Sequence, residues 1–166
     1  METPLLRLAP PFLSPLLAAL ALGLNACSTS PPPGSETAPI GPPILSDAAQ
    51  QTALRGQVSF SQHVAPILEN RCLPCHNGTT LIGILDLSSR RTAFLPSPSG
   101  QPRIVPGDPA RSLLFLNPKA AHHSFHAMPP VGNRLTEGDL AVLRRWIAQG
   151  APWPDGPAGA LAPPPS

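Results

Sequence analysis

The sequence has no tyrosine, and aromatic residues fill only 4% of its 166 positions. Charge is scarce too: 12% of residues are charged, with 11 Lys+Arg against nine Asp+Glu and a net charge of +2. Runs of like charge are missing, and basic residues cluster no further than pairs. A nucleic-acid surface needs a basic stripe interleaved with aromatics, so that class of partner is excluded. No stretch alternates apolar and polar residues at period two, and β-branched residues are few, which argues against a sheet. The chain is also too short to build two domains with a large substrate cleft between them.

Proline, by contrast, is abundant. The 26 prolines and 13 glycines together approach the level at which a chain fails to fold. Yet 42% of residues are hydrophobic, which is not the composition of a disordered protein. The two facts agree because the prolines are segregated: 15 of the 26 lie outside residues 58–153. A compact domain at 58–153 is therefore expected, with Pro-rich segments at 27–57 and 154–166 that are expected to be disordered.

Residues 1–26 read as an export signal. Arg7 supplies a positive charge, and Leu13–Leu24 is apolar, interrupted by Pro15 and too short for a comfortable membrane span. The following Leu24-Asn25-Ala26-Cys27 resembles the bacterial lipobox, in which the chain is cut before a cysteine that carries lipid. An ordinary secretory signal with Cys27 as a stray thiol is the plainer alternative. Multiple acyl chains on Cys27 would anchor the protein stably to a membrane. The Pro-rich stretch after it reads as an extended spacer.

Within 58–153 three apolar stretches carry helical spacing. The first, through Phe60, Val64, Ile67 and Leu68, ends at Arg71-Cys72 and contains Pro66, which implies a late start or a kink. The second opens on Asp108-Pro109, runs through Leu113–Leu116 and stops at Asn117-Pro118. The third has Thr136 as N-cap, Asp139 three residues on, an apolar face at Leu140, Leu143 and Ile147, and Gly150 as its stop. Between them, 77–107 and 118–134 are expected to be long loops. Such loops need something to pack on, and a bound cofactor would supply it.

Cys72-Leu73-Pro74-Cys75-His76 is the C-x-x-C-H pattern of covalent haem attachment. Two thiols three positions apart can add to the two vinyl groups of a porphyrin, and the adjacent histidine then falls beneath the iron. Other readings of the pair are a redox dithiol on a βαβ scaffold, a zinc site completed by histidines, and a small structural disulfide. A copper carrier using Cys72, Cys75, His126 and Met128 is a further one.

Once Met1 leaves with the signal, Met128 is the only thioether remaining, set in the stiff segment Met128-Pro129-Pro130. It is the candidate sixth ligand. Packing of Met128 in the core, or ligation by His122, His123 or His126, are the alternatives.

The segment 58–153 resembles the planctomycete-type cytochrome c domain. The similarity lies in Phe60…His63-Val64-Ala65-Pro66-Ile67-Leu68, Cys72-Leu73-Pro74-Cys75-His76 and Leu85-Asp86-Leu87. It continues in Val105-Pro106-Gly107-Asp108-Pro109…Ser112-Leu113-Leu114, Met128-Pro129-Pro130 and Leu135-Thr136…Arg144-Arg145-Trp146-Ile147…Gly150-Ala151. The resemblance implies an all-α cytochrome c-like domain with long loops packed around one covalent haem c, with His76 proximal and Met128 distal. The expected protein is a single-electron carrier without enzymatic activity, exchanging electrons with redox partner proteins. Its expected place is the periplasmic side of a bacterial membrane, tethered at Cys27. A haem enzyme or sensor with a displaceable sixth ligand, and a metal-carrier lipoprotein without haem, are the competing classes.

Overall fold

A computed structural model describes residues 40–80, 85–120, 128–129 and 132–165. The export signal, Cys27, and the histidines His122, His123 and His126 lie outside the described residues. In chain order the α-helices are α1 (Asp47–Arg55), α2 (Ala65–Arg71), α3 (Arg90–Ala93), α4 (Leu113–Lys119) and α5 (Glu137–Ala148). Among the described residues the β-type pairing consists of an isolated parallel bridge between Ile40 and Arg134. The helical expectation holds.

Helix α5 organises the rest. Thr136 caps it by accepting a hydrogen bond from the Asp139 N–H, as its sequence signature implies. Leu140, Val142, Leu143, Trp146 and Ile147 are all buried along it. Gln149 closes the helix and Gly150 follows at φ 94°, the left-handed conformation that glycine adopts without a Cβ clash. Arg145, near the C-terminal end, donates from Nε and Nη2 to the Gly56 carbonyl at 3.1 and 2.9 Å.

The first expected helix is two pieces. Phe60–Val64 is a single turn of π-helix, and the α-helical pattern begins only at Ala65. Pro66 explains the change: it lacks an N–H to donate and fits the first turn of α2, so the wider pattern precedes it. The contact between the first and last helical regions runs through this π turn against α5. There Phe60 and Trp146 stand 6.2 Å apart between ring centroids. The second expected helix is also divided. Asp108 caps a 3-10 turn at Pro109–Arg111, and Ser112 interrupts it by using its hydroxyl to accept from Val105 N–H at 2.9 Å and donate to the Asp108 carbonyl at 2.8 Å. Helix α4 then runs through Asn117 and Pro118 to Lys119, one residue beyond the expected stop.

The packed region extends beyond 58–153 at both ends, which corrects the expected boundaries. Upstream, α1 lies within the segment expected to be a Pro-rich linker and packs against α5. Its fastening is Asp139, which is fully buried. The Asp139 carboxylate accepts from Ile44 N–H at 3.2 Å, Leu45 N–H at 3.4 Å, Gln50 Nε2 at 3.4 Å and the Thr136 hydroxyl at 2.8 Å. A Cβ at Gly138 would meet the Gln50 side-chain amide, which would have to move aside.

Downstream, the tail expected to be disordered folds back. Trp153 stacks on Phe60 at 4.5 Å and donates from Nε1 to the Gly159 carbonyl at 2.8 Å, while Leu161 N–H reaches the Ser88 carbonyl at 2.8 Å. Two buried tryptophans recruit the flanks. Trp146 bonds through Nε1 to Pro152 O at 3.0 Å, and covering the ring of Trp153 requires the turn at Gly156–Gly159. Large indoles find both an apolar bed and an acceptor there.

Candidate functional site

Helix α2 ends by unwinding into the C-x-x-C-H segment. Cys72 N–H still reaches the Leu68 carbonyl at 2.9 Å, and Leu73 N–H shares the same acceptor at 2.9 Å. The chain then tightens: Cys75 and His76 both donate backbone N–H groups to the Cys72 carbonyl, at 3.1 and 2.9 Å. Leu73 is fully buried and pins this turn to the core, while Pro74 points outward. His76 is fastened on its other side, because its carbonyl accepts from Leu87 N–H at 2.9 Å. Leu87 is itself buried, so the turn and the 85–87 segment hold each other.

Beside this turn lies a cavity of about 480 Å³. Cys72 and His76 lie on its lining, Leu85, Leu87, Ile104 and Leu114 give it apolar walls, and Met128 also faces it. Met128 is held in place by its backbone N–H, which donates to the Asn117 carbonyl at 3.1 Å near the end of α4. The Met128–Pro129 peptide is cis. Three of the residues singled out from sequence therefore meet at one cavity, although Met128 and His76 are 52 positions apart. Cys75 sits in the same turn but does not line the cavity. Lipidation at Cys27 and ligation by His122, His123 or His126 fall outside the described residues.

The electrostatics suit an apolar guest. Cys72 and Cys75 are free thiols. Burial pushes the Cys72 thiol up to about 12; Cys75 acts in the same direction and the Arg71 charge opposes both. Cys72 is half-buried and lines the cavity, and with its pKa raised it remains a thiol at neutral pH. Burial likewise lowers the pKa of His76 below the ordinary histidine value. The Leu85 backbone favours the charged ring, but no acceptor meets hydrogen-bond geometry at the buried Nδ1, and the Arg103 charge disfavours protonation. A neutral imidazole with an electron pair to offer is the form that ligates metal.

Sequence reasoning missed Arg103, which is buried in the cavity wall. A lone arginine in a loop carries no motif. The available signal was its place between Gln101 and Ile104 in a stretch expected to pack on a cofactor.

A haem fits these residues. The cavity volume falls in the roughly 300–1,000 Å³ range of cofactor and ligand sites. Its walls are largely apolar, the Cys72 thiol lines it with Cys75 in the same turn, and an imidazole whose Nδ1 is unpartnered shares the space with a thioether. Among the described residues no three His, Cys, Asp or Glu side chains converge as a metal-ion site.

No curated protein and no solved structure matches the chain. A family model does: residues 72–132 match the one described as Planctomycete cytochrome C. That span opens on Cys72 and includes Cys75, His76, Arg103 and Met128. The match supports a planctomycete-type cytochrome c domain over residues 72–132, a family that implies covalently bound haem c.

Proposed function

We propose that the protein is a monohaem c-type cytochrome that carries single electrons, with Cys72 and Cys75 as thioether anchors and His76 and Met128 as axial ligands. The observation that carries this reading is the meeting of His76 and Met128 on one apolar cavity beside the two thiols. Bound haem supplies one-electron chemistry at its iron, and methionine with histidine as ligands raises the reduction potential. The chain's own residues do the rest. Leu85, Leu87, Ile104 and Leu114 give the cavity apolar walls, the Leu87–His76 backbone bond fixes the proximal side, and the Asn117–Met128 bond fixes the sulfur side. With both axial positions filled, the site passes electrons and has no open coordination position for a substrate.

The same proposal places the domain on the periplasmic side of a bacterial membrane, tethered by a lipid on Cys27 and serving redox partner proteins there. The folding of residues 40–57 onto the core shortens the spacer. From Cys27 to Ile40 the chain can reach at most about 45 Å fully extended.

Met128→Ala tests the ligand assignment. The ferrous wild type should bind carbon monoxide slowly or not at all, and the variant should bind it readily. Rapid binding by the wild type, or a spectrum unchanged by the substitution, would show that Met128 is not a ligand and favour a haem enzyme or sensor.

A further inference from the structure

Ile40 is 64% exposed, the most exposed of the large apolar side chains among the described residues. It pairs with Arg134 across the parallel bridge, and the neighbouring Gly41 N–H donates to the Arg134 carbonyl at 3.0 Å. Gly41 also abuts Arg71, since a Cβ on it would meet the Arg71 guanidinium. Arg71 Nη2 in turn donates to the Pro42 carbonyl at 2.6 Å. One small surface, away from the haem cavity lining, thus combines an exposed aliphatic side chain with two arginines.

Neither arginine meets a carboxylate. Among the described residues the ion pairs are Arg90–Asp155 and Arg111–Asp108. The Nε of Arg71 and that of Arg134 are buried without a hydrogen-bond partner, and the Arg71–Pro42 bond ends on a neutral carbonyl. Both side chains keep part of their surface open to solvent. A guanidinium has five N–H donors, so each retains donors for an outside acceptor. An exposed apolar side chain flanked by arginines matches the boundary of a bilayer that carries anionic headgroups: the apolar group enters the acyl edge and the guanidinium groups meet phosphates.

The length of chain before Ile40 selects this occupant. Cys27 and Ile40 are 13 positions apart, about 45 Å at most. A lipid on Cys27 therefore keeps the surface beside the membrane at an effective concentration on the millimolar scale. Between the two, Glu36 is the only charged residue, so attraction to an anionic surface has to come from the domain. We propose that the Ile40, Arg71 and Arg134 surface rests on anionic lipid headgroups and sets the domain down on the bilayer with this face inward. The proposal rests on the lipid reading of Cys27 given above. Each arginine strengthens such binding roughly fivefold, and the pair roughly 25-fold. Without the tether the contact is weak, so the Cys27→Ala protein stays soluble at ordinary dilution and binds only at millimolar lipid.

The test is flotation of the Cys27→Ala protein with vesicles of phosphatidylcholine, alone or mixed with phosphatidylglycerol. Binding should favour the anionic vesicles and weaken as salt is raised. Arg71→Gln combined with Arg134→Gln should lower partitioning about 25-fold. Arg71→Lys combined with Arg134→Lys keeps both charges and should retain most of it. Because Arg71 also holds Pro42, Ile40→Glu serves as a variant at an exposed position that leaves the fold alone, and it should lower partitioning about fivefold or more. Equal binding to both vesicle types, no binding at millimolar lipid, or glutamine variants that bind like their parent would overturn the proposal. So would a lysine pair that falls as far as the glutamine pair. Mass spectrometry of the wild-type peptide that contains Cys27 separates the two layers. Cys27 without lipid would overturn the tether reading and leave flotation to decide the surface, whereas lipidated Cys27 with no preference for anionic vesicles would overturn the surface alone.

Discussion

Replacing Asp139 by alanine should loosen the N-terminal strap while leaving the haem cavity intact. The carboxylate is fully buried and serves the backbone N–H groups of Ile44 and Leu45, the Gln50 amide and the Thr136 hydroxyl. Gln50 and Thr136 are side chains that can turn to other partners. The two backbone donors cannot. Each buried group left unpartnered costs roughly 1–3 kcal/mol, and the Ile44 N–H is only partly buried, so the substitution should cost about 2–5 kcal/mol in sum. That is a large part of an ordinary domain's stability of roughly 5–15 kcal/mol. For a domain of this size it corresponds to a fall in Tm of roughly 6–20 °C. The Thr136 cap survives, because it accepts from the backbone of residue 139 rather than from its side chain. Thermal melts followed by circular dichroism give the stability, and amide exchange at Ile44 and Leu45 gives the place. The visible haem spectrum should stay unchanged, since Asp139 does not line the cavity. A loss below about 0.5 kcal/mol, or slow exchange at both amides in the variant, would refute the reasoning.

Trp146→Ala removes a fully buried indole packed beside both Phe60 and Trp153, and should cost about 3–5 kcal/mol in urea denaturation. A cost under 1 kcal/mol would mean that the ring is not the keystone of the α5 packing. Cys27→Ala should move the protein from the membrane pellet to the soluble fraction with its haem content unchanged. Continued sedimentation with membranes would contradict the lipid tether.

Sequence pattern alone pointed to the helical class and to three residues that line one cavity, for identifiable reasons. The third helix was legible because its start, apolar face and stop are each written in neighbouring residues: Thr136 with Asp139, Leu140 with Leu143 and Ile147, and Gly150. Cys72, Cys75 and His76 were legible because their chemistry demands a fixed spacing. Met128 stands out because Met1 is the other methionine of the sequence, and the structure brings Met128 to the same cavity as His76. What stayed hidden depends on partners distant in sequence. The α1 segment is polar, with Ala53 its buried residue, and is held by a carboxylate 94 residues from Leu45. The tail looked disordered by its prolines, yet the need to cover Trp153 brings it back onto the domain. Arg103 belongs to the same class, since only the assembled cavity shows which way it faces.

Covalent haem at Cys72 and Cys75 is the central claim, and haem staining of the denatured protein tests it most directly. Wild type expressed with export to an oxidising compartment should keep its stain through denaturing electrophoresis, because thioether bonds survive unfolding. The Cys72→Ala, Cys75→Ala double variant should lose it completely. Stain retained by the double variant, or absent from wild type that is otherwise folded, would contradict the account.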